Sequence, residues 1–429
     1  MNEGAQSIET DRRLRLALGL ICVGAIVAVL ADAATASGGL AGFNDFYREA
    51  WPSYRALGQG HVVSFLDLGP AYVTSLILRA PFALIPRLWG GGSHAVYFAS
   101  ALPCLLASPA LGGWLLSSAQ ARDRWPNPLW LALICSLNPI IVLAIFLGHP
   151  EEVLGATLCV AAVLAATRDR PGWCAVFLSL AVINKTWALV AVPVAVAVLP
   201  SHRIRALLVT AAASGAVLIP VTLIRTSQAA GSTSFVAGTG IGTIFTPPQL
   251  LWWFGRHSWI APHARLLIVL VSFVLGALYW WRGRRLRATP AGLARMGELG
   301  VERPLRLLAL VLLIRAAFDP WDNAYYHLPF LFALLAYEAY TRRWPRLTLG
   351  YSLLLMLVVP VNGLVHLPLN VQAAAYAALS LPMMAWLAAG AFAVDTRSPH
   401  APGWLRRPVR ARVREDRRTS ELTGAEPLG

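Results

Sequence analysis

Carboxylates and aromatic rings are concentrated in the polar segment that follows the first apolar run, residues 35–69. Asp45 and Glu49 are four residues apart, so a short helix would place both carboxylates on one face. A carboxylate within hydrogen-bond reach of a hydroxyl can remove its proton as a general base, and Arg48 could neutralise a phosphate. Asp67, near the end of the segment, could serve as the base instead. On composition alone, the simpler interpretation is a solvated loop with aromatic rings at a membrane interface.

The chain contains a single lysine, Lys185, and it lies inside an apolar run. A charged side chain within a membrane-spanning helix costs about 3 kcal/mol on insertion scales and usually faces a cavity or a partner. Two interpretations are open. Lys185 could contact the phosphate of a lipid, or it could form an ion pair with Glu151 or Glu152.

A third polar segment interrupts the apolar runs near residue 320. We expect His327 to contact a phosphate or the acceptor molecule whose hydroxyl group reacts, although a lone histidine beside an aromatic belt is usually interfacial. Tyr325 and Tyr326 point to different faces of a helix, so at most one of them would line the same cavity. Arg315 is one helical turn before Asp319 and is a candidate partner for it. The candidate binding residues of this segment are Asp319, Trp321, Asp322, Tyr325, Tyr326 and His327.

Long apolar runs place the chain in the class of membrane proteins. Hydrophobic residues make up 57% of the chain and charged residues 13%, against about 25% charged residues in soluble domains. The runs at 16–34, 128–147 and 206–224 each approach the ~20 residues that cross a bilayer as a helix. With the run at 70–89 and those that follow, the sequence predicts an all-α, polytopic membrane helical bundle of about 12 spans.

The net charge of +15 comes largely from arginines in short loops between the apolar runs, as at 203–205, 282–287 and 342–346. Basic loops stay on the cytoplasmic side of a membrane, so we expect both termini in the cytoplasm. This distribution argues against a nucleic-acid partner and for contact with membrane lipids. The charged residues 395–429 are predicted to form a disordered cytoplasmic tail, which leaves residues 1–394 as the membrane domain.

The apolar run at 173–200 leaves the topology open. It is too long for one straight span and carries Asn184 and Lys185 near its middle, so it forms either one kinked helix or two short ones. The choice inverts the side of the turn at 148–152. Loop charges favour an outside location for this turn, whereas a count of twelve spans places it inside.

Four segments of the sequence, taken in order, form a recognisable pattern. They are Asp45 with Asp67-Leu68-Gly69-Pro70, then Gly148-His149-Pro150-Glu151-Glu152, then residues 180–189, and finally Arg315 with Asp319 to Pro329. Together they resemble the GT-C superfamily of polyprenol-phosphate-sugar-dependent glycosyltransferases. The similarity is greatest to the actinobacterial α-mannosyltransferases that use polyprenyl phosphate mannose, and it extends to about residue 394. One departure is the start of the second span, where the family's Tyr-Pro-Pro motif is replaced by Gly69-Pro70-Ala71-Tyr72.

The resemblance implies a GT-C architecture and transfer of a hexose, with mannose expected, at the outer face of the membrane with inversion of the anomeric carbon. It implies Asp45 as the catalytic base, with Glu49 and Asp67 as rivals. The implied partners are a polyprenyl phosphate sugar donor and a lipid-linked or glycan acceptor. The further candidates for substrate binding are Arg48, Glu49, Asp67 and Lys185.

No cofactor is predicted, and the His-x-Glu-Glu sequence at 149–152 supplies too little geometry to argue for a metal site. The alternative from another functional class is a membrane transporter or flippase of lipid-linked saccharides. That function would need a polar pathway through the bundle, whereas most polar residues of this chain lie in predicted loops.

Overall fold

The computed structural model describes residues 45–116, 128–225, 246–255, 258–287, 300–320, 323–342, 344–358 and 367–393. These residues form helices and connecting turns, with no strand among them. The helices belong to one unit, Met1–Ala391. The first predicted span, Trp321, Asp322 and the predicted tail lie outside the described residues, so the domain boundary at 394 stays a prediction.

A π-helical turn at Phe46–Ala50 leads into the first α-helix. Short 3₁₀ segments occupy Ile85–Trp89, Thr186–Ala191, Leu250–Phe254 and Ala324–His327. The α-helices are α1 (Trp51–Gly58), α2 (Val62–Asp67), α3 (Val73–Leu84), α4 (Ser93–Leu116), α5 (Pro128–Leu137), α6 (Pro139–Leu147), α7 (Glu151–Thr167), α8 (Pro171–Asn184), α9 (Val192–Val198), α10 (Arg203–Ile224), α11 (Ile260–Arg287), α12 (Glu302–Phe318), α13 (Leu328–Thr341), α14 (Arg346–Val358) and α15 (Leu369–Ala391).

Helix α7 lies in the core, and nearly all of its residues are buried. Glu151 and Glu152 in its first turn complement the positive end of the helix dipole. Beyond its end the chain reverses at Asp169, which has a positive φ of 49°. Pro171 then occupies the first turn of α8, where a missing N–H breaks no helical hydrogen bond.

The apolar run at 173–200 folds as two antiparallel helices. Asn184, which ends α8, donates from Nδ2 to the carbonyl oxygen of Glu151 at the start of α7, at 2.8 Å. Ser201, beyond α9, donates to Oδ1 of Asp169 past the other end of α7, at 2.8 Å. Since the 17 residues of α7 extend about 25 Å, the chain travels the length of α7 twice between Asp169 and Ser201, once in each direction. Of the two open alternatives, the structure has the pair of short helices.

These contacts define two ends of the bundle. We call the end that contains Glu151 and Asn184 the polar end, and the end that contains Asp169 and Ser201 the arginine end. Arg203 and Arg284 both lie over the ring of Trp280 at the arginine end, with guanidinium carbons 5.9 and 5.8 Å from its centroid. The arginines in turns and helix ends on this side are Arg168, Arg170, Arg203, Arg205, Arg282, Arg284, Arg342 and Arg346.

The run at 70–89, counted as a span from the sequence, does not travel between the two ends. At its start, Tyr72 donates a hydrogen bond to Oε2 of Glu49 at 2.6 Å. At its end, the guanidinium of Arg87 lies over the ring of Trp51, 5.9 Å from the centroid. Both ends therefore contact the first polar segment, and α3 has only 12 residues, fewer than the ~20 needed to cross a bilayer.

Four described helices are long and apolar enough to cross a membrane: Ser93–Leu116, Arg203–Ile224, Ile260–Arg284 and Leu369–Ala391. Large apolar side chains on these helices are exposed on the surface, among them Leu208, Leu223, Val274 and Leu381. An exposed apolar belt around buried helices is stable in lipid rather than in water. The all-helical, membrane-embedded class predicted from the sequence agrees with these features.

Candidate functional site

Four chain segments bring ionisable side chains together at the polar end. Asp45 precedes the π-helical turn, and Tyr72 precedes α3. His149 lies in the turn between α6 and α7, and Glu151 follows in the first turn of α7. Lys185 lies at the break after α8, where its backbone is extended, with φ −149° and ψ 123°. Helix ends and turns, rather than helix interiors, therefore supply this site.

Gly148 allows the turn at His149 to approach the segment that carries Asp45. Its φ is +96°, in the left-handed region where a side chain is strained. A Cβ atom at this position would lie 2.7 Å from the backbone nitrogen of Phe46, the residue that follows Asp45. Only glycine fits both the conformation and the space.

Asp45, His149 and Glu151 form a hydrogen-bonded chain. Nε2 of His149 is 3.1 Å from Oδ2 of Asp45, and Nδ1 of His149 is 2.9 Å from Oε1 of Glu151. The side chains of Asp45, His149 and Glu151 are 35%, 5% and 0% exposed. The hydrogen-bonded chain is therefore open to solvent at Asp45, and its other two members are buried inside the protein.

Glu151 is neutralised from several directions. Its Oε2 lies 3.3 Å from Nη2 of Arg79, and its Oε1 lies 3.1 Å from Nζ of Lys185. Asn184 binds the backbone carbonyl of the same residue. A buried carboxylate is tolerated only when it is paired and hydrogen-bonded, so these contacts explain how a charged group persists in the interior.

Lys185 has the structural partners that the sequence left open. Besides Glu151, its ammonium contacts Oε1 of Glu152 at 3.2 Å. It also lies 3.9 Å from the centroid of the Tyr72 ring, a distance typical of a cation–π contact. Two carboxylates already balance the single charge of Lys185. Its contact with a lipid phosphate stays a prediction.

His149 is held as an imidazolium by its surroundings. Burial disfavours the charged ring and lowers its pKa, but the hydrogen bonds with Asp45 and Glu151 and the charge of Glu151 raise it. The carboxylates prevail, and the pKa of His149 rises from its ordinary value of 6.5 to about 9. At neutral pH both ring nitrogens therefore carry protons, and each donates to one carboxylate.

Aromatic rings enclose His149 and bring a second carboxylate near the site. The ring of Tyr325 stacks on the imidazole, with centroids 4.7 Å apart and an interplanar angle of 25°. Tyr72 meets the imidazole edge-on at 5.8 Å while its hydroxyl donates to Glu49. Asp45 thus contacts the ring of His149, Glu49 contacts the hydroxyl of Tyr72, and these two rings lie against each other.

Two other candidates from the first polar segment lie outside this cluster's contacts. Arg48 is exposed on the π-helical turn next to Asp45. Asp67 ends α2, near Arg225, whose guanidinium donates to the carbonyls of Gly69 and Pro70 at 2.6 and 3.0 Å. Asp67 therefore sits beside a different cation from the one that binds Asp45.

Asp319 organises a second charged group at the polar end. Nε of Arg315 lies 4.0 Å from Oδ2 of Asp319, as the four-residue spacing predicts. Arg265 from α11 adds a closer contact at 3.1 Å to Oδ1. Arg315 also lies over the rings of Trp187 and Tyr326, 4.8 and 4.3 Å from their centroids. Tyr326 therefore belongs to this group, whereas Tyr325 belongs to the site at His149.

His327 lies deeper than the sequence suggests. The residue is fully buried, and its Nε2 is hydrogen-bonded to the hydroxyl of Tyr376 at 2.7 Å. Its Nδ1 lies 3.1 Å from the carbonyl of Ala324. Both ring nitrogens are thus occupied by protein groups, and the predicted contact with a phosphate or acceptor would require this packing to open. Trp321 and Asp322 lie outside the described residues.

Two residues of the charged network were not identified from the sequence. Arg79 lies within the apolar run at 70–89, where an arginine flanked by apolar residues is itself a sign of a buried partner. Arg265 lies near the start of α11 and has no acidic residue within a helical turn that would mark it. Among the described residues, no group of three or more His, Cys, Asp or Glu side chains is arranged to hold a metal ion.

The arrangement provides an accessible carboxylate, Asp45, which is hydrogen-bonded to the buried imidazolium of His149. His149 is in turn hydrogen-bonded to the buried carboxylate of Glu151. An oxygen of Asp45 can accept a proton from a hydroxyl group that lies within hydrogen-bond distance of it. No known family model, curated protein or solved structure matches this chain.

Proposed function

We propose that this protein is a glycosyltransferase that moves a hexose, with mannose favoured, from a polyprenyl phosphate donor to a lipid-linked or glycan acceptor. The observation that carries the proposal is the position of Asp45. It is the accessible end of a buried carboxylate–imidazole–carboxylate chain at the polar end of a helical membrane protein. The resemblance of four sequence segments to the GT-C glycosyltransferases supports the same assignment.

In the proposed reaction, an oxygen of Asp45 accepts the proton of the acceptor hydroxyl as the hydroxyl oxygen attacks the anomeric carbon of the donor. The bond between the anomeric carbon and the phosphate oxygen breaks, and its electron pair leaves with the polyprenyl phosphate. A single displacement of this kind inverts the anomeric centre. The donor's lipid tail can enter from the bilayer, which explains why the site is built at the end of membrane helices.

We further propose that the polar end faces outside and that the arginine end faces the cytoplasm. Arginines concentrate at cytoplasmic loops, and they gather at the end opposite to Asp45. Removing the run at 70–89 from the spans and counting 173–200 twice leaves the total at about twelve, the number that the sequence predicts. With this count the turn at 148–152 lies outside together with Asp45, and the two sequence arguments about its side no longer conflict.

The test is a transfer assay in membranes with radiolabelled polyprenyl phosphate mannose. Asp45→Asn keeps the size of the side chain but removes the base, and we expect a loss of at least about 100-fold in rate. Asp169→Asn at the arginine end is the matched control. Asn tolerates the positive φ of that position, so this variant should keep wild-type activity.

Full activity of Asp45→Asn would exclude Asp45 as the base and direct the test to Glu49 and Asp67. If the wild type transfers no sugar from any lipid donor but moves lipid-linked saccharides across liposomes, the protein is a transporter instead.

A further inference from the structure

We propose that His149 is a positioning residue for the proposed transfer: held between Asp45 and Glu151, it fixes one oxygen of Asp45 so that the other faces the acceptor. This inference rests on the proposed function and adds a residue to it. His149 itself touches no substrate, since its side chain is only 5% exposed.

Both nitrogens of the ring are used, and this defines its orientation. Nε2 binds Oδ2 of Asp45 at 3.1 Å, and Nδ1 binds Oε1 of Glu151 at 2.9 Å. Glu151 cannot move, because Arg79 and Lys185 hold it from other sides. The hydrogen-bonded chain from Glu151 through His149 therefore fixes the position of the Asp45 carboxylate.

The faces and edges of the ring are also fixed. Tyr325 stacks on one face at 4.7 Å, and Tyr72 packs edge-on at 5.8 Å. Gly148 lets the backbone of the turn lie against Phe46, next to Asp45. The ionisable groups that face His149 are Asp45, Glu151, Lys185, Tyr72 and Tyr325.

The chemical consequence concerns the two oxygens of Asp45. Oδ2 is occupied by His149, whereas Oδ1 forms no hydrogen bond with any described residue. During transfer the acceptor's proton moves to Oδ1 and is later released to water, while His149 keeps its own protons. A carboxylate held by a cation on one oxygen presents the other in a single orientation, which is the arrangement that lowers the cost of aligning reactants.

The experiment compares two amides that replace different halves of the imidazole. The amide nitrogen of His149→Gln can reach the position of Nε2 and donate to Asp45. The shorter side chain of His149→Asn reaches only the position of Nδ1, next to Glu151. We expect kcat to fall about tenfold in His149→Gln and about 100-fold in His149→Asn, with KM little changed, because one charge-assisted hydrogen bond is weakened or lost. His202→Asn, at the arginine end, is the matched control and should behave as wild type, because Asn tolerates the positive φ of that position.

The pH profile separates positioning from a general structural effect. In the wild type, kcat should fall as pH rises through about 9, where the imidazolium loses one of its two donated protons. This alkaline decrease should be absent in His149→Gln, whose amide does not titrate. Melting temperatures in detergent, measured for all variants, verify that they fold.

Three results would each overturn the inference. The two folded variants could lose kcat equally, the alkaline decrease in kcat could persist in His149→Gln, or the substitutions could change KM alone. If Asp45→Asn is inactive while both His149 variants are fully active, the proposed function stands and the role of His149 fails. If the wild type transfers no sugar from any lipid donor, both fail.

Discussion

Glu151 is the residue on which the charged network depends. Its carboxylate accepts a hydrogen bond from His149 and forms ion pairs with Arg79 and Lys185. The side chain is fully buried. Neutralising this carboxylate would remove the ion pair of Arg79 and leave Lys185 with Glu152 alone, which is costly for buried charges.

We predict that Glu151→Gln lowers the free energy of unfolding by about 3–5 kcal/mol, because it leaves the buried charges of Arg79 and Lys185 without their shared partner. The measurement is the thermal melting curve of the purified protein in detergent. Glu302→Gln, in the first turn of α12 and only partly buried, is the control and should change stability by less than about 0.5 kcal/mol. A melting curve of Glu151→Gln like that of the control would show that the network contributes little to stability.

At the scale of secondary structure, breaks between helices produce the site. α8 ends at Asn184 and the chain resumes as a 3₁₀ segment after Lys185. α6 ends at Leu147, just before Gly148, and α7 begins at Glu151. Both breaks place polar side chains at the polar end, together with backbone groups that have no partner within a helix. These groups bind each other rather than facing lipid.

We predict that Gly148→Ala destabilises the protein by about 1–3 kcal/mol and lowers the transfer rate. The new Cβ is strained at φ +96° and collides with the backbone of Phe46, which separates His149 from Asp45. Melting temperature and transfer rate are measured together. Gly350→Ala lies in a helix with no atom within 4 Å of the added Cβ, so this control should be neutral or slightly stabilising. Wild-type behaviour of Gly148→Ala would mean that the turn can move away without cost.

At the scale of the whole molecule, the charges are divided between two ends. The polar end contains the network from Asp45 to Asp319, whereas arginines predominate at the other end. This asymmetry is the basis of the proposed orientation in the membrane.

We predict that a cysteine at position 61 is labelled from outside intact cells and that a cysteine at position 202 is labelled only after the cells are permeabilised. The two variants, His61→Cys and His202→Cys, start from exposed histidines near opposite ends of the bundle. Cys104, Cys135, Cys159 and Cys174 are buried, and Cys22→Ser serves as the background. A membrane-impermeant maleimide is the reagent. The reverse labelling pattern would place Asp45 in the cytoplasm and contradict the proposed topology.

Local sequence patterns identified several features of the site. The four-residue spacing of Arg315 and Asp319 predicted their contact. The position of Lys185 inside an apolar run left open a lipid phosphate or an ion pair with Glu151 or Glu152, and the ion pair is present. Such predictions succeed because neighbouring turns of one helix, or the cost of an unpaired charge in an apolar run, depend little on the rest of the chain.

The sequence by itself determined the class of helical membrane protein, since runs of about 20 apolar residues have the length and composition of helices that cross a bilayer. The tertiary structure decided which residues meet. Asp45 and His149 are 104 positions apart, and no periodic pattern relates them. The packing of the helices also buries His327, and it keeps both ends of the run at 70–89 at the polar end. Contacts between distant segments depend on how whole helices fit together, so only the folded chain reveals them.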